Sequence, residues 1–173
     1  MKTWKRLAAA VLAAVLVMAM LTACGGDAAI VVDKEQAKNV TTWVQEAMKE
    51  EGYTLTEDAA LTPMINGGLP KAVAYRSAQI NKKDEGTVNK AYNELDATLE
   101  ANFAQTGKKG FAYAALYGSG ATPKERDIKN YIKNSKNAIL KALKEHDIET
   151  PKTVAVGFAT QGDHHFILLV ISE

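Results

Sequence analysis

Two hydrophobic rhythms run along this chain, and the places where one gives way to the other mark its elements. Val40, Trp43, Val44, Ala47 and Met48 fall three and one residues apart, which lines one face of a helix beginning near Ala37. Gly52 is placed to stop it. "YTLTEDAALTPMI" starts a second helical run, with Thr56 suited to the N-cap and Glu57 and Asp58 in the first turn, where the helix dipole favours acids. "NGGLP" is expected to break that run, and Pro70 to open another helix through "PKAVAYRSAQI". Past the polar turn "NKKDEG", the residues Val88, Ala91, Tyr92, Leu95 and Leu99 share one helical face. "FAYAALYGSG" is short, aromatic and apolar between glycines, and reads as a strand. The clearest helix follows: Thr122, Pro123 and Glu125 supply a cap, a first-turn proline and the acid of a capping box. Ile128, Tyr131, Ile132, Ser135, Ile139, Ala142 and Leu143 form its inner stripe, and Lys141, Lys144 and His146 stand at the end that favours cations.

The rhythm then changes to period two. "TVAVGFAT" sets Val154, Val156 and Phe158 against Ala155, Gly157 and Ala159, "QGD" is turn chemistry, and "HHFILLVIS" is apolar on both faces. A strand apolar on both faces belongs in the middle of a sheet, covered above and below. Helices first, then a small sheet fed by a long helix, make an α+β fold. The expected form is a layered α/β/α sandwich with a small, mainly antiparallel sheet and a C-terminal β-hairpin. One globular domain is expected over residues 37–173.

The first residues follow neither rhythm. "MKTWKR" is basic, "LAAAVLAAVLVMAMLTA" is apolar, and small residues precede "CGGD". That is the layout of a secretory signal peptide over residues 1–23, too short and wrongly flanked for a membrane span of about 20 apolar residues. "LTAC" resembles the lipobox of bacterial lipoproteins, a family in which cleavage falls before the cysteine and its thiol takes a diacylglycerol. The resemblance implies lipidation of Cys24, the single cysteine of the chain, and attachment to the extracytoplasmic face of the cell membrane. The alternative is a free thiol in an ordinary signal sequence. Residues 24–36 then read as a glycine-led tether, although "AIVV" within it can pair as an edge strand.

Charge and cysteine count narrow the function. Loss of Lys2, Lys5 and Arg6 with the leader leaves 18 basic against 20 acidic side chains, a net charge of −2. This is no electrostatic footprint for nucleic acid. With Cys24 lipidated, no thiol remains for a disulfide or a nucleophile.

Little in the chain has the spacing of a reactive site. His164 and His165 are neighbours in a predicted strand, so they point to opposite faces and cannot both hold one metal. His146 ends a helix with nothing to bring it to that pair. "GSG" at Gly118–Gly120 lacks the lysine and spacing of a phosphate loop and fits a strand-to-helix turn. No serine sits in a GxSxG elbow. The lysine-rich outer face of the long helix reads as a solvated surface, with contact to anionic wall polymers as its functional alternative. No metal and no cofactor is expected. Tyr75, Tyr113, Tyr117 and Tyr131, with His165, form the candidate ligand groove, because tyrosine presents an apolar body with a polar tip.

The order of the pieces resembles the CAP superfamily, the secreted domains related to cysteine-rich secretory proteins. "VTTWVQEAMKEEGYTLTEDAAL" fits that family's opening helix and "G…LT.D..L...A" segment, and "AVAYRSAQI" fits its next helix. "GKKGFAYAALYGSG" stands where the family writes "GEN.A.G", "YIKNSKNAILKAL" where it writes "S..H..IL", and "VAVGFATQGDHHFILLVIS" where it has a "VGVG" strand and hairpin partner. The likeness runs from about Val40 to Ser172 and implies a CAP-like sandwich. The family's cavity of histidines and acids is not matched: Asn81 and Lys82, "FAYAALYG", and Lys136 and Asn137 occupy the corresponding positions. Two functions are therefore expected to compete. One is a lipid-tethered, non-catalytic binding or interaction domain for a small-molecule, envelope-polymer or protein ligand. The other is a cell-envelope hydrolase with a site assembled from scattered residues including His164 or His165.

Overall fold

The computed structural model describes residues 28–120 and 124–173. The leader, Cys24 and the expected Thr122–Pro123 cap lie outside the described residues. No described helix is long and apolar enough to cross a membrane.

The domain begins earlier than residue 37. β1 (Ile30–Val32) pairs antiparallel with the end of β4 (Thr153–Gln161), and Asp33 then caps α1 (Lys34–Lys49), its carboxylate accepting from the Gln36 N–H at 2.9 Å. The "AIVV" alternative is thus the one taken, and Lys34, Glu35 and Gln36 of the expected tether open α1. Gly52, at φ +86°, turns the chain after α1.

Two local expectations fail next. Thr56 does not cap a helix: β2 (Thr56–Glu57) pairs parallel with the start of β4, and Asp58 caps a single 3₁₀ turn at Ala59–Leu61. The break at "NGGLP" does not occur either, because α2 runs without interruption over Thr62–Ile80. Packing overrides local propensity here. A Cβ on Gly68 would stand 2.9 Å from Leu168 Cδ2 and 3.1 Å from Leu99 Cδ2, so glycine lets α2 lie close to both the sheet and the next helix. α3 (Glu85–Thr106) returns antiparallel to α2, capped by Asp84, and ends at Gly107 with φ +64°.

β3 (Gly110–Ser119), α4 (Glu125–Glu145), β4 (Thr153–Gln161) and β5 (His164–Ser172) follow as the hydrophobic periods indicate. The strand order is β1-β4-β5-β3, with β2 beside β1 on the outer edge of β4. β5 is central and antiparallel to both neighbours. β3 is the opposite edge.

The sheet divides two cores. Phe158, Ile167, Leu169 and Ile171 pack with Trp43, Met48, Ile128 and Ile139 under α1 and α4. Phe166, Leu168 and Val170 pack with Met64, Leu69, Leu95 and Leu99 under α2 and α3. Each such side chain, fully buried, contributes about 1.5–3 kcal/mol. The architecture is the expected α+β sandwich of three layers with a C-terminal hairpin.

Candidate functional site

β5 sends odd-numbered side chains toward α1 and α4 and even-numbered ones toward α2 and α3. His165 and His164 therefore see different layers. His165 is 2% exposed, deeper than the half-buried rim position its place beside the turn suggests. Its Nε2 lies 2.9 Å from the Gly120 carbonyl and its Nδ1 3.1 Å from Thr160 Oγ1. A carbonyl only accepts, so Nε2 donates to Gly120, and in the neutral ring Nδ1 accepts from the Thr160 hydroxyl. Both nitrogens are engaged within the fold.

His164 opens onto a small cleft with Ser77, Asn81 and Gln161, where Ser77 Oγ donates to Gln161 Oε1 at 2.8 Å. His146 stands at the other end of the sheet, stacked on Phe111 with ring centres 5.8 Å apart. Among the described residues, no three of His, Cys, Asp or Glu come together as a metal-binding group.

The candidate tyrosines divide between the layers. Tyr117 meets Tyr131 edge-to-face at 5.6 Å and lies 6.2 Å from His165, and Tyr113 packs into the same core. Burial first, and Tyr113 beside it second, push the Tyr131 hydroxyl up to about 12. Tyr75 is on the other face, packed edge-to-face on Tyr92 at 5.4 Å. The five residues do not line one groove as expected. Tyr117, Tyr131 and His165 belong to the packing between the sheet and α4: the strands turn Tyr117 and His165 to that face, and Tyr131 meets them from the inner stripe of α4.

A groove does exist, and it runs along the free edge of β3. It holds about 540 Å³ and takes in Tyr75 and Tyr113 from the expected set. Leu95, Leu99 and Phe103 of α3 form one wall, Phe111 and His146 lie on the other side, and Tyr92, 47% exposed, stands at the rim. Sequence reading missed Arg76, Lys109, Phe103 and Phe111. Their only sequence signal is the aromatic pair Tyr75 and Tyr92, 17 residues apart on two different helices, and edge position cannot be read from it.

Arg76 shapes this groove. From α2 its Nε and Nη2 both donate to the Ala114 carbonyl, at 2.9 and 2.5 Å, its Nη1 donates to Gln79 Oε1 at 2.8 Å, and the guanidinium lies 5.2 Å over the Tyr75 ring. No carboxylate lies within ion-pair distance of it among the described residues. At the other end, Lys109 Nζ donates to the Asp147 carbonyl and also lacks a carboxylate among the described residues. Lys108 is different: it pairs with Asp58, and that hydrogen bond, with the Ala60 N–H, holds the Asp58 carboxyl below its usual range.

A second cleft of about 670 Å³ lies on the opposite edge, where β4 is bare between β2 and β1. Lys34, Lys38, Glu57 and Asp58 surround it. The lysine face of α4 is partly neutralised by α1: Lys129 meets Glu46 at 3.0 Å, and Lys136 meets Glu51 at 2.7 Å and Glu50 at 3.5 Å. Lys136 on α4 and Lys82 after α2 belong to opposite layers.

Comparison with family models, with curated proteins and with solved structures finds no match for this chain.

Proposed function

We propose that this chain is an extracytoplasmic lipoprotein, tethered to the cell membrane through Cys24, whose globular domain binds a ligand without transforming it. The groove at the free edge of β3 is its binding surface. The observation that carries this reading is the combination of an exposed aromatic, Tyr92, with two cations, Arg76 and Lys109, around an apolar cleft. Large aromatics beside arginine are the residue types that dominate binding energy at interfaces. The "LTAC" junction supports the tether. The order of helices, glycine-flanked strand, long helix and hairpin supports a CAP-like architecture. The hydrolase reading draws on His164 or His165: the two ring nitrogens of His165 already have partners within the fold, and His164 opens onto a small cleft that holds no acid among the described residues.

Two measurements test the proposal. Membrane fractionation should find the wild-type chain with the membrane and Cys24→Ser in the soluble fraction; a membrane-bound variant would sink the tether. Amide chemical shifts recorded while envelope peptides and wall-polymer fragments are added should move around Tyr75, Tyr92 and Tyr113. Shifts confined to another face, or conversion of a fragment to product, would overturn the binding-domain reading.

A further inference from the structure

β3 bonds to β5 on one side only, and among the described residues no other strand covers its far side. In an antiparallel pair, alternate residues direct both N–H and C=O toward the partner or away from it. The Lys109 carbonyl accepts from the Glu173 N–H, and so faces inward, while the Ala114 carbonyl accepts from Arg76, and so faces outward. Gly110 and Ala112 therefore face outward with Ala114. No backbone partner meets the N–H or C=O of Ala112, or the N–H of Ala114, among the described residues. A register shift follows Leu116, so the regular open edge spans Gly110–Leu116, roughly 20 Å at about 3.4 Å per residue.

We infer that this edge is a docking site for an extended segment of another protein, which adds to the sheet as a fourth long strand beside β3 and carries a carboxylate where it passes Arg76. The inference rests on the binding-domain reading and names the ligand class. Strand addition uses main-chain hydrogen bonds for affinity and side-chain pockets for choice. Both are present: outward amides at Ala112 and Ala114, and apolar walls on the two faces of the strand, Leu99 and Phe103 on one and Phe111 on the other.

Arg76 identifies the partner's charge. In the free protein its guanidinium donates to the Ala114 carbonyl, in the place an incoming strand's N–H would take. An arriving strand displaces it, and the released cation needs a carboxylate, as does Lys109 at the other end. Asp96 and Glu100 stand on the α3 wall, so the fitting segment is acidic at its ends and neutral or basic along α3. A second copy of this chain fits less well. Its own β3 would bring a second Arg76 and Lys109 against the first pair, and its α3 would meet the wall that recesses this edge.

The test uses the full chain in detergent and a pool of blocked heptapeptides that alternate valine or tyrosine with threonine and carry one glutamate. Binding should slow amide exchange at Ala112 and Ala114 by about tenfold or more, and N-methylation of the peptide backbone should weaken it by about tenfold, the worth of about one net hydrogen bond. Glutamate replaced by glutamine should bind more weakly to the wild type and equally to Arg76→Ala. Ala112→Pro removes an outward N–H while sparing the ladder to β5, and proline is tolerated on such an edge. That variant should fold and fail to bind. Should it not fold, the N-methylated pool decides. Binding that leaves Ala112 exchange unchanged, equal binding of N-methylated peptides, or no binding at about 1 mM would overturn strand addition. So would concentration-dependent dimerisation that protects Ala112 without peptide. The first two outcomes leave the groove a binding site of another kind, so this inference can fail while the binding-domain reading stands.

Discussion

Thr160 and His165 face one another across the hairpin, with Thr160 Oγ1 3.1 Å from His165 Nδ1 in a layer where the histidine is 2% exposed. The contact joins β4 to β5, and the second bond from His165 Nε2, to the Gly120 carbonyl at 2.9 Å, pins the chain as it leaves β3. His165 thus holds three strands at one end of the sheet.

Removing it should cost more than a surface histidine does. His165→Ala deletes a buried ring and leaves the Gly120 carbonyl without its donor, a loss of roughly 2–4 kcal/mol. His164→Ala, on the other face and partly open, should change stability by less than about 0.5 kcal/mol. Urea denaturation of both variants checks this. Equal effects would mean that the His165 bonds contribute nothing.

How much of this was legible in the sequence varies by element. The split of His164 from His165 follows from strand period alone, and so does the central position of β5, since "FILLVI" offers no polar face. The path through "NGGLP" was not legible. Two glycines and a proline signal a break locally, and only the approach of Leu168 and Leu99 to Gly68 explains why the helix continues. The groove was half legible. Tyrosines suggest one by their chemistry, but Tyr75 and Tyr113 come together only because β3 is an edge, and strand order depends on contacts far apart in sequence. Arg76 gave no signal, because a single arginine in a helical run is ordinarily solvated.

The neighbouring glycines of α2 should respond in opposite directions. A Cβ on Gly67 would meet Thr98 Cγ2 at 3.4 Å, an ordinary contact, so Gly67→Ala should gain up to about 1 kcal/mol from helix propensity. A Cβ on Gly68 would sit 2.9 Å from Leu168 Cδ2 in a filled core, and Gly68→Ala should lose about 1–3 kcal/mol to overpacking. Thermal melts of the two variants provide the comparison, and stabilisation by both would show that α2 does not lie so close to the sheet.

Asp58 ties the 3₁₀ turn to the start of β3 through Lys108. The lysine hydrogen bond holds the carboxyl below its usual value of 3.8, so the folded state binds that proton less readily than the unfolded chain does. Its stabilising contribution is present above the unfolded value and is lost as pH falls through the folded one. Asp58→Asn should therefore be less stable than wild type at neutral pH and approach it in acid. A constant gap between the two from pH 7 to pH 2 would show that the pair does not act through ionisation.

Tyr131 gives the alkaline counterpart. Burial under α4, with Tyr113 second, pushes its hydroxyl from 10.0 to about 12. In the unfolded chain the same hydroxyl ionises near its ordinary value, so between those two values the unfolded state has released a proton that the folded state keeps. Fewer protons on the unfolded side means that stability falls as pH rises across this window, and levels off once the folded group also ionises. Tyr131→Phe has no proton to release and should lose less stability over the same range. Difference absorbance of tyrosinate in the folded wild type should show one late-titrating group that the variant lacks. If the variant and wild type lose stability in parallel above pH 10, the hydroxyl is not held in its neutral form by the fold, and the packing of Tyr131 against Tyr117 and Tyr113 is looser than the geometry implies.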